Sequence, residues 1–190
     1  MRKLCTALLT LVVLISTTTS VEALESKTIE RHNGASAYAE WYEINNNATT
    51  YTYLSVTETN DGTDIYVSTY KYGPDYWSEK SGYMFTEDDV FSIDKKLNSA
   101  SLSEINIDVN NWYTGETDTV TIGADWTGTG EISTGTSTSK STTGDYVWRS
   151  SENSKYRGAS ATGSINGLDL GISTDASMSN FKSAYMSMEK

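Results

Sequence analysis

Apolar and polar residues alternate along most of this chain, and a two-residue period predicts β-strands rather than helices. Ala35, Ala37, Ala39 and Trp41 fall on one face, with Ser36, Tyr38, Glu40 and Tyr42 on the other. Thr52, Leu54 and Val56 then oppose Tyr51 and Tyr53, and Ile65, Val67 and Thr69 oppose Tyr66, Ser68 and Tyr70. Between these two runs stands Asn60-Asp61-Gly62, three residues that tolerate positive φ, so Thr50–Tyr72 predicts a hairpin. Gly73-Pro74-Asp75 breaks the alternation, and Gly73–Gly82 reads as an exposed loop.

Further on, short apolar runs stand at Tyr83–Phe85 and Val90–Ile93. Ile105, Ile107 and Val109 predict a half-buried strand, as do Val120, Ile122, Ala124 and Trp126. Ser133–Gly144 is rich in Thr, Ser and Gly, which suits either a flexible loop or a polar edge hairpin. Tyr146-Val147-Trp148 predicts a short strand. Ala159, Ala161, Gly163 and Ile165 lead into Asn166-Gly167, a second hairpin turn, followed by Leu168, Leu170 and Ile172. Met178 and Phe181 either close the sheet or start a last strand.

Eight to ten short strands at regular spacing predict an all-β domain. The expected architecture is an antiparallel β-sandwich of jelly-roll or Ig-like two-sheet type, with a closed β-barrel as the alternative. Composition agrees: 13 Tyr, 5 Trp and, by count, 26 Ser and 27 Thr favour the pleated surface over the helix.

The first 23 residues depart from this pattern. Met1-Arg2-Lys3 is basic, Leu4–Ile15 is an apolar run, and Val21-Glu22-Ala23 offers a peptidase site. That order is expected of a cleaved secretory signal peptide, too short in its apolar part to span a bilayer. Residues 24–190 are then a single domain working outside the cytoplasm, extracellular or periplasmic. The only cysteine, Cys5, leaves with the leader, so the exported domain is expected to be free of disulfides and thiol chemistry. Loss of Arg2, Lys3 and Glu22 takes the formal charge from −11 to −12. Such acidity suits solubility, cations or basic partners and disfavours nucleic acid. Beyond the leader no apolar run approaches the length of a membrane span, so a membrane-spanning form is not expected.

Candidate chemistry is sparse. His32 lies in Glu30-Arg31-His32-Asn33-Gly34 with no Gly-x-Ser-x-Gly motif to serve, so a Ser-His-Asp triad is not expected. Asp61 and Asp64 in one turn, and Glu87-Asp88-Asp89, cluster oxygen ligands of the kind Ca²⁺ takes, although neither has EF-hand spacing. Ca²⁺ is the one cofactor the sequence suggests. Asn47-Ala48-Thr49 is an N-glycosylation sequon that matters in a host able to use it.

Aromatics are the most suggestive group. Tyr72, Tyr76 and Trp77 bracket the Gly73–Gly82 segment, and Trp112 and Tyr113 stand at another turn. Exposed rings of this kind stack on sugars or anchor protein contacts. The expected function is therefore non-catalytic binding of a glycan, an envelope component or a protein at the cell exterior. The alternatives are a structural protein of the surface or matrix, which would assemble through exposed strand edges, and a polysaccharide hydrolase using a carboxylate pair. Oligomeric state is not legible in the chain.

Overall fold

The alternating runs become strands because each buries its apolar face against the others. The computed structural model describes residues 27–45, 47–74 and 76–189 and holds eleven strands, all antiparallel, with no helix among the described residues. They are β1 (Lys27–Asn45), β2 (Ala48–Thr59), β3 (Thr63–Gly73), β4 (Tyr76–Thr86), β5 (Phe91–Ile93), β6 (Ser99–Asn111), β7 (Thr117–Gly128), β8 (Ser133–Thr143), β9 (Tyr146–Ile165), β10 (Leu168–Ile172) and β11 (Asp175–Glu189). The all-β antiparallel expectation holds. The expected leader lies outside the described residues.

Pairing runs from β1 through β2, β3, β4, β6, β7, β9 and β11 and returns to β1. Its narrowest junction is β4 with β6, where Lys80 pairs with Asn111 and Ser81 with Asn110. Gly82 lies beside it because a Cβ there would overlap the Asp108 carbonyl oxygen and press on Val109. Inside the circuit Ala37, Ala39, Leu54, Val56, Ile65, Val67, Ile107, Ile122 and Met178 are buried almost completely. Each large aliphatic side chain removed from water in this way contributes about 2 kcal/mol.

Two tryptophans hold the interior, as their alternation with alanine predicts. Trp126 meets Phe91 edge-on at 6.3 Å and donates its indole N–H to the Tyr38 carbonyl at 2.8 Å. Trp41 donates to the Gly171 carbonyl at 3.2 Å. Gly163 makes room for Trp41, whose Cζ2 would stand 2.8 Å from an added Cβ. Small residues are thus matched to large rings.

The structure corrects two expectations about local structure. Gly73–Gly82 is not a loop: β3 ends at Gly73, Pro74 lies in a turn, and β4 begins at Tyr76. That strand escapes the alternation test because its inward positions include Lys80, Gly82, Met84 and Thr86, of which Met84 alone is a large apolar residue. Nor are the strands uniformly short and eight to ten in number. β1 has 19 residues and β9 has 20, and both run far beyond the core. Their outer halves join β8 and the end of β11 in a four-stranded extension, ordered β8-β9-β11-β1. Of the two readings of Ser133–Gly144, the polar edge hairpin is the one found. All eleven residues of β8 are exposed, and Gly144 turns the chain at φ 55°.

Candidate functional site

Inward apolar residues force their neighbours outward, and in β1–β4 those neighbours include eight tyrosines: Tyr38, Tyr42, Tyr51, Tyr53, Tyr66, Tyr70, Tyr72 and Tyr83. Register then aligns them across strands. Tyr42 lies opposite Tyr51, Tyr51 opposite Tyr70, and Tyr72 opposite Trp77. The result is a strip of rings crossing four strands: Tyr42 to Tyr51 at 4.7 Å between centroids and Tyr51 to Tyr72 at 6.1 Å, with Trp77 next and Tyr113 edge-on to it at 4.3 Å. Such pairs add about 1 kcal/mol each beyond area burial. The strip is open to solvent, with Trp77 43% and Tyr113 70% exposed.

Trp112 and Tyr113 reach the strip through the turn between β6 and β7. Asn111 is buried and its side-chain oxygen accepts from the backbone N–H groups of Tyr113 and Thr114, at 2.9 and 3.2 Å. An Asx turn of this kind fixes the chain direction after a strand. Trp112 then donates its indole N–H to the Ser81 hydroxyl on β4 at 2.9 Å and remains 75% exposed.

A second row runs parallel to the first: Tyr38 to Tyr53 at 5.3 Å and Tyr53 to Tyr66 at 5.7 Å, with Tyr83 paired to Tyr66. Between the rows lies a shallow groove of about 300 Å³, lined by Glu40, Tyr51, Tyr53, Tyr66, Ser68 and Tyr70. Four phenols in and beside it, Tyr38, Tyr51, Tyr70 and Tyr83, are hard to ionise. Burial, then Glu40, pushes Tyr38 up; a hydrogen bond to Glu79 raises Tyr70; one to Tyr72 raises Tyr51. Tyr83, raised by Asp64, donates to that carboxylate. Tyr38, Tyr70 and Tyr83 are thus tied to carboxylates and Tyr51 to Tyr72, on a surface of flat apolar faces edged with hydrogen-bonding groups.

Of the residues expected to bind ligand, Tyr72, Trp77, Trp112 and Tyr113 come together here. Tyr76 opens β4, opposite Gly73. Alternation had placed Tyr51, Tyr53 and Tyr66 on the face opposite the core, but only strand register shows that they join the same surface as the turn residues. The carboxylates expected to hold Ca²⁺ lie at one end of the β3–β4 pair, where Thr63 faces Thr86. Asp61 sits in the β2–β3 turn with its N–H on the Thr59 hydroxyl, Asp64 is engaged by Tyr83, and Glu87–Asp89 follow β4. Among the described residues no group of three or more His, Cys, Asp or Glu is disposed to hold a metal ion. His32 is exposed, 3.9 Å from Glu30 and edge-on to Tyr185. Asn47 is exposed at the β1–β2 turn with φ 63°, a conformation asparagine tolerates.

The class defined by this fold and surface is an antiparallel all-β domain with a filled apolar interior and an aromatic outer face. Compared with known protein families, curated proteins and solved structures, the chain matches none.

Proposed function

We propose that this protein is an exported, non-catalytic β-domain that binds a glycan on the outer face of β1–β4. The observation that carries this reading is the pair of parallel aromatic rows with a polar groove between them. Sugar rings offer C–H faces that stack on Tyr and Trp, and hydroxyls that bond to phenols, serines and carboxylates. Both kinds of partner lie side by side in this groove. The rings are also rigidly placed by the sheet, so little side-chain entropy is lost when a ligand settles on them.

The test is a glycan array with residues 24–190, followed by calorimetry on the best hit for the parent and two variants, Trp77→Ala/Tyr113→Ala and Tyr51→Ala. Removal of stacking rings is expected to weaken binding about tenfold, the equivalent of about 1.4 kcal/mol. Unchanged affinity in both variants, with folded circular-dichroism spectra, would overturn the reading.

A further inference from the structure

The four-stranded extension segregates charge between its faces. Paired residues of an antiparallel sheet share a face, so the register assigns each side chain. On one face five cross-strand rows follow one another: Thr134-Lys155-Asn180-Ala35, Thr136-Asn153-Lys182-Asn33, Thr138-Ser151-Ala184-Arg31, Lys140-Arg149-Met186-Ile29 and Thr142-Val147-Met188-Lys27. Every row carries at least one cation and none carries a carboxylate. The opposite face has Glu30, Glu152 and Glu189 and neither Lys nor Arg. This arrangement stands in a chain of formal net charge −11.

Among the described residues these cations have no acidic partner. Lys140 and Arg149 lie directly opposite each other, an arrangement that destabilises a sheet. Among the described residues no carboxylate lies within ion-pair distance of Lys27, Arg31, Lys140, Arg149, Lys155 or Lys182. All six are exposed. Two open grooves run over this face, of about 580 and about 630 Å³; Lys95, from the β5–β6 loop, joins Lys155 and Lys182 in the first. Successive rows are two residues apart, about 7 Å along the strands.

We propose that this face binds a linear polysaccharide bearing carboxylates, its chain running along the strands. A cation in each row matches a polymer with regularly spaced negative charge. The Asn, Thr and Ser side chains between the cations supply bonds to sugar hydroxyls. Arg31 and Arg149 present planar forks suited to carboxylates. Single-stranded nucleic acid fits less well, because not one of the twenty positions is aromatic and bases have nothing to stack on. A bilayer surface fits less well too. Interfacial binding uses projecting apolar groups, whereas Ile29 is the one large apolar side chain exposed on this face, Val147 being buried and Met186 and Met188 half-buried. The site is separate from the aromatic rows and does not rest on them.

The test is titration of residues 24–190 with polygalacturonate at low and at physiological salt. Neutral dextran, oligo-dT and phosphatidylglycerol vesicles are run in parallel. Polygalacturonate is expected to bind in preference to the other three and to weaken as salt rises. The variants Lys140→Gln/Arg149→Gln and Lys155→Gln/Lys182→Gln are each expected to weaken it about tenfold. They neutralise exposed side chains, and the first relieves a like-charge pair, so a melting temperature no lower than the parent's is expected and confirms that the fold is kept. Trp77→Ala/Tyr113→Ala is expected to bind polygalacturonate as the parent does. No binding of polygalacturonate at low salt overturns the proposal. So does equal or tighter binding of any of the three controls, indifference to both charge-neutralised variants, or loss of binding in the aromatic variant.

Discussion

Glu58 sits on the inward side of β2, where burial disfavours its charge and the nearby carboxylate of Asp89 adds repulsion. Both raise its pKa in the folded state. A raised pKa means that the favourable contribution is complete below the unfolded value and is lost as pH rises through the folded one. Glu58→Gln is therefore expected to raise the melting temperature near pH ~7 and to change it little near pH ~3.5. Thermal melts at the two values check this; a gain equal at both would show that the carboxylate charge is not the cause. Other residues were readable from alternation alone. Trp41 and Trp126 belong to the core because each continues a run of small inward residues. Tyr51 and Tyr53 face outward for the same reason. Alternation was silent about the neighbours each ring would meet, since those are set by strand register.

At the scale of elements, β8 is an edge strand with Lys140 near its middle, a charge that discourages pairing with another chain. It pairs with β9 alone, so alternate N–H groups point away from the sheet. Amide exchange followed by mass spectrometry is expected to show rapid uptake over residues 133–143 and slow uptake over the interior pairs of β2 and β3. Equal protection in the two segments would mean that something covers the β8 edge. Elements with an apolar beat were legible in the chain: the β2–β3 hairpin around Asn60-Asp61-Gly62 and the β9–β10 turn at Asn166-Gly167 stand where turn chemistry puts them. β4 was hidden because Lys80 and Gly82 occupy inward places. The long halves of β1, β9 and β11 were hidden because apolar and aromatic residues fall on both faces of the extension, Ile29, Val147, Met186 and Met188 on one and Tyr146, Trp148, Tyr156 and Tyr185 on the other, which erases the period on which the reading depends.

On the scale of the whole molecule, the eight-strand circuit is completed at its weakest point between β4 and β6. Gly82 is where the two backbones crowd. Gly82→Ala is expected to cost about 1–3 kcal/mol by overpacking, read as a lowered melting temperature. An unchanged transition would show that the circuit tolerates separation at this junction. Net charge is another property of the whole that misleads when taken as an average. A formal charge of −11 disfavours polyanions as partners, yet five successive rows of one sheet face carry cations and no acids.

By itself, the amino-acid sequence determined the all-β class, the inward and outward assignment of most strands and the two tight hairpin turns. These follow from local periodicity and from the φ preferences of Asn, Asp and Gly, which act over a few residues. Only the tertiary structure decided the strand order, the closure at Gly82, the aromatic rows and the cationic face. Each of these depends on which distant strands pair and in what register. Tyr42 and Tyr113 are joined by four strands and a turn, and Lys140 and Lys27 by a sheet in which β1 at one end of the chain pairs with β11 at the other. Side-chain alternation says which face a residue occupies, and long-range pairing alone says what else shares it.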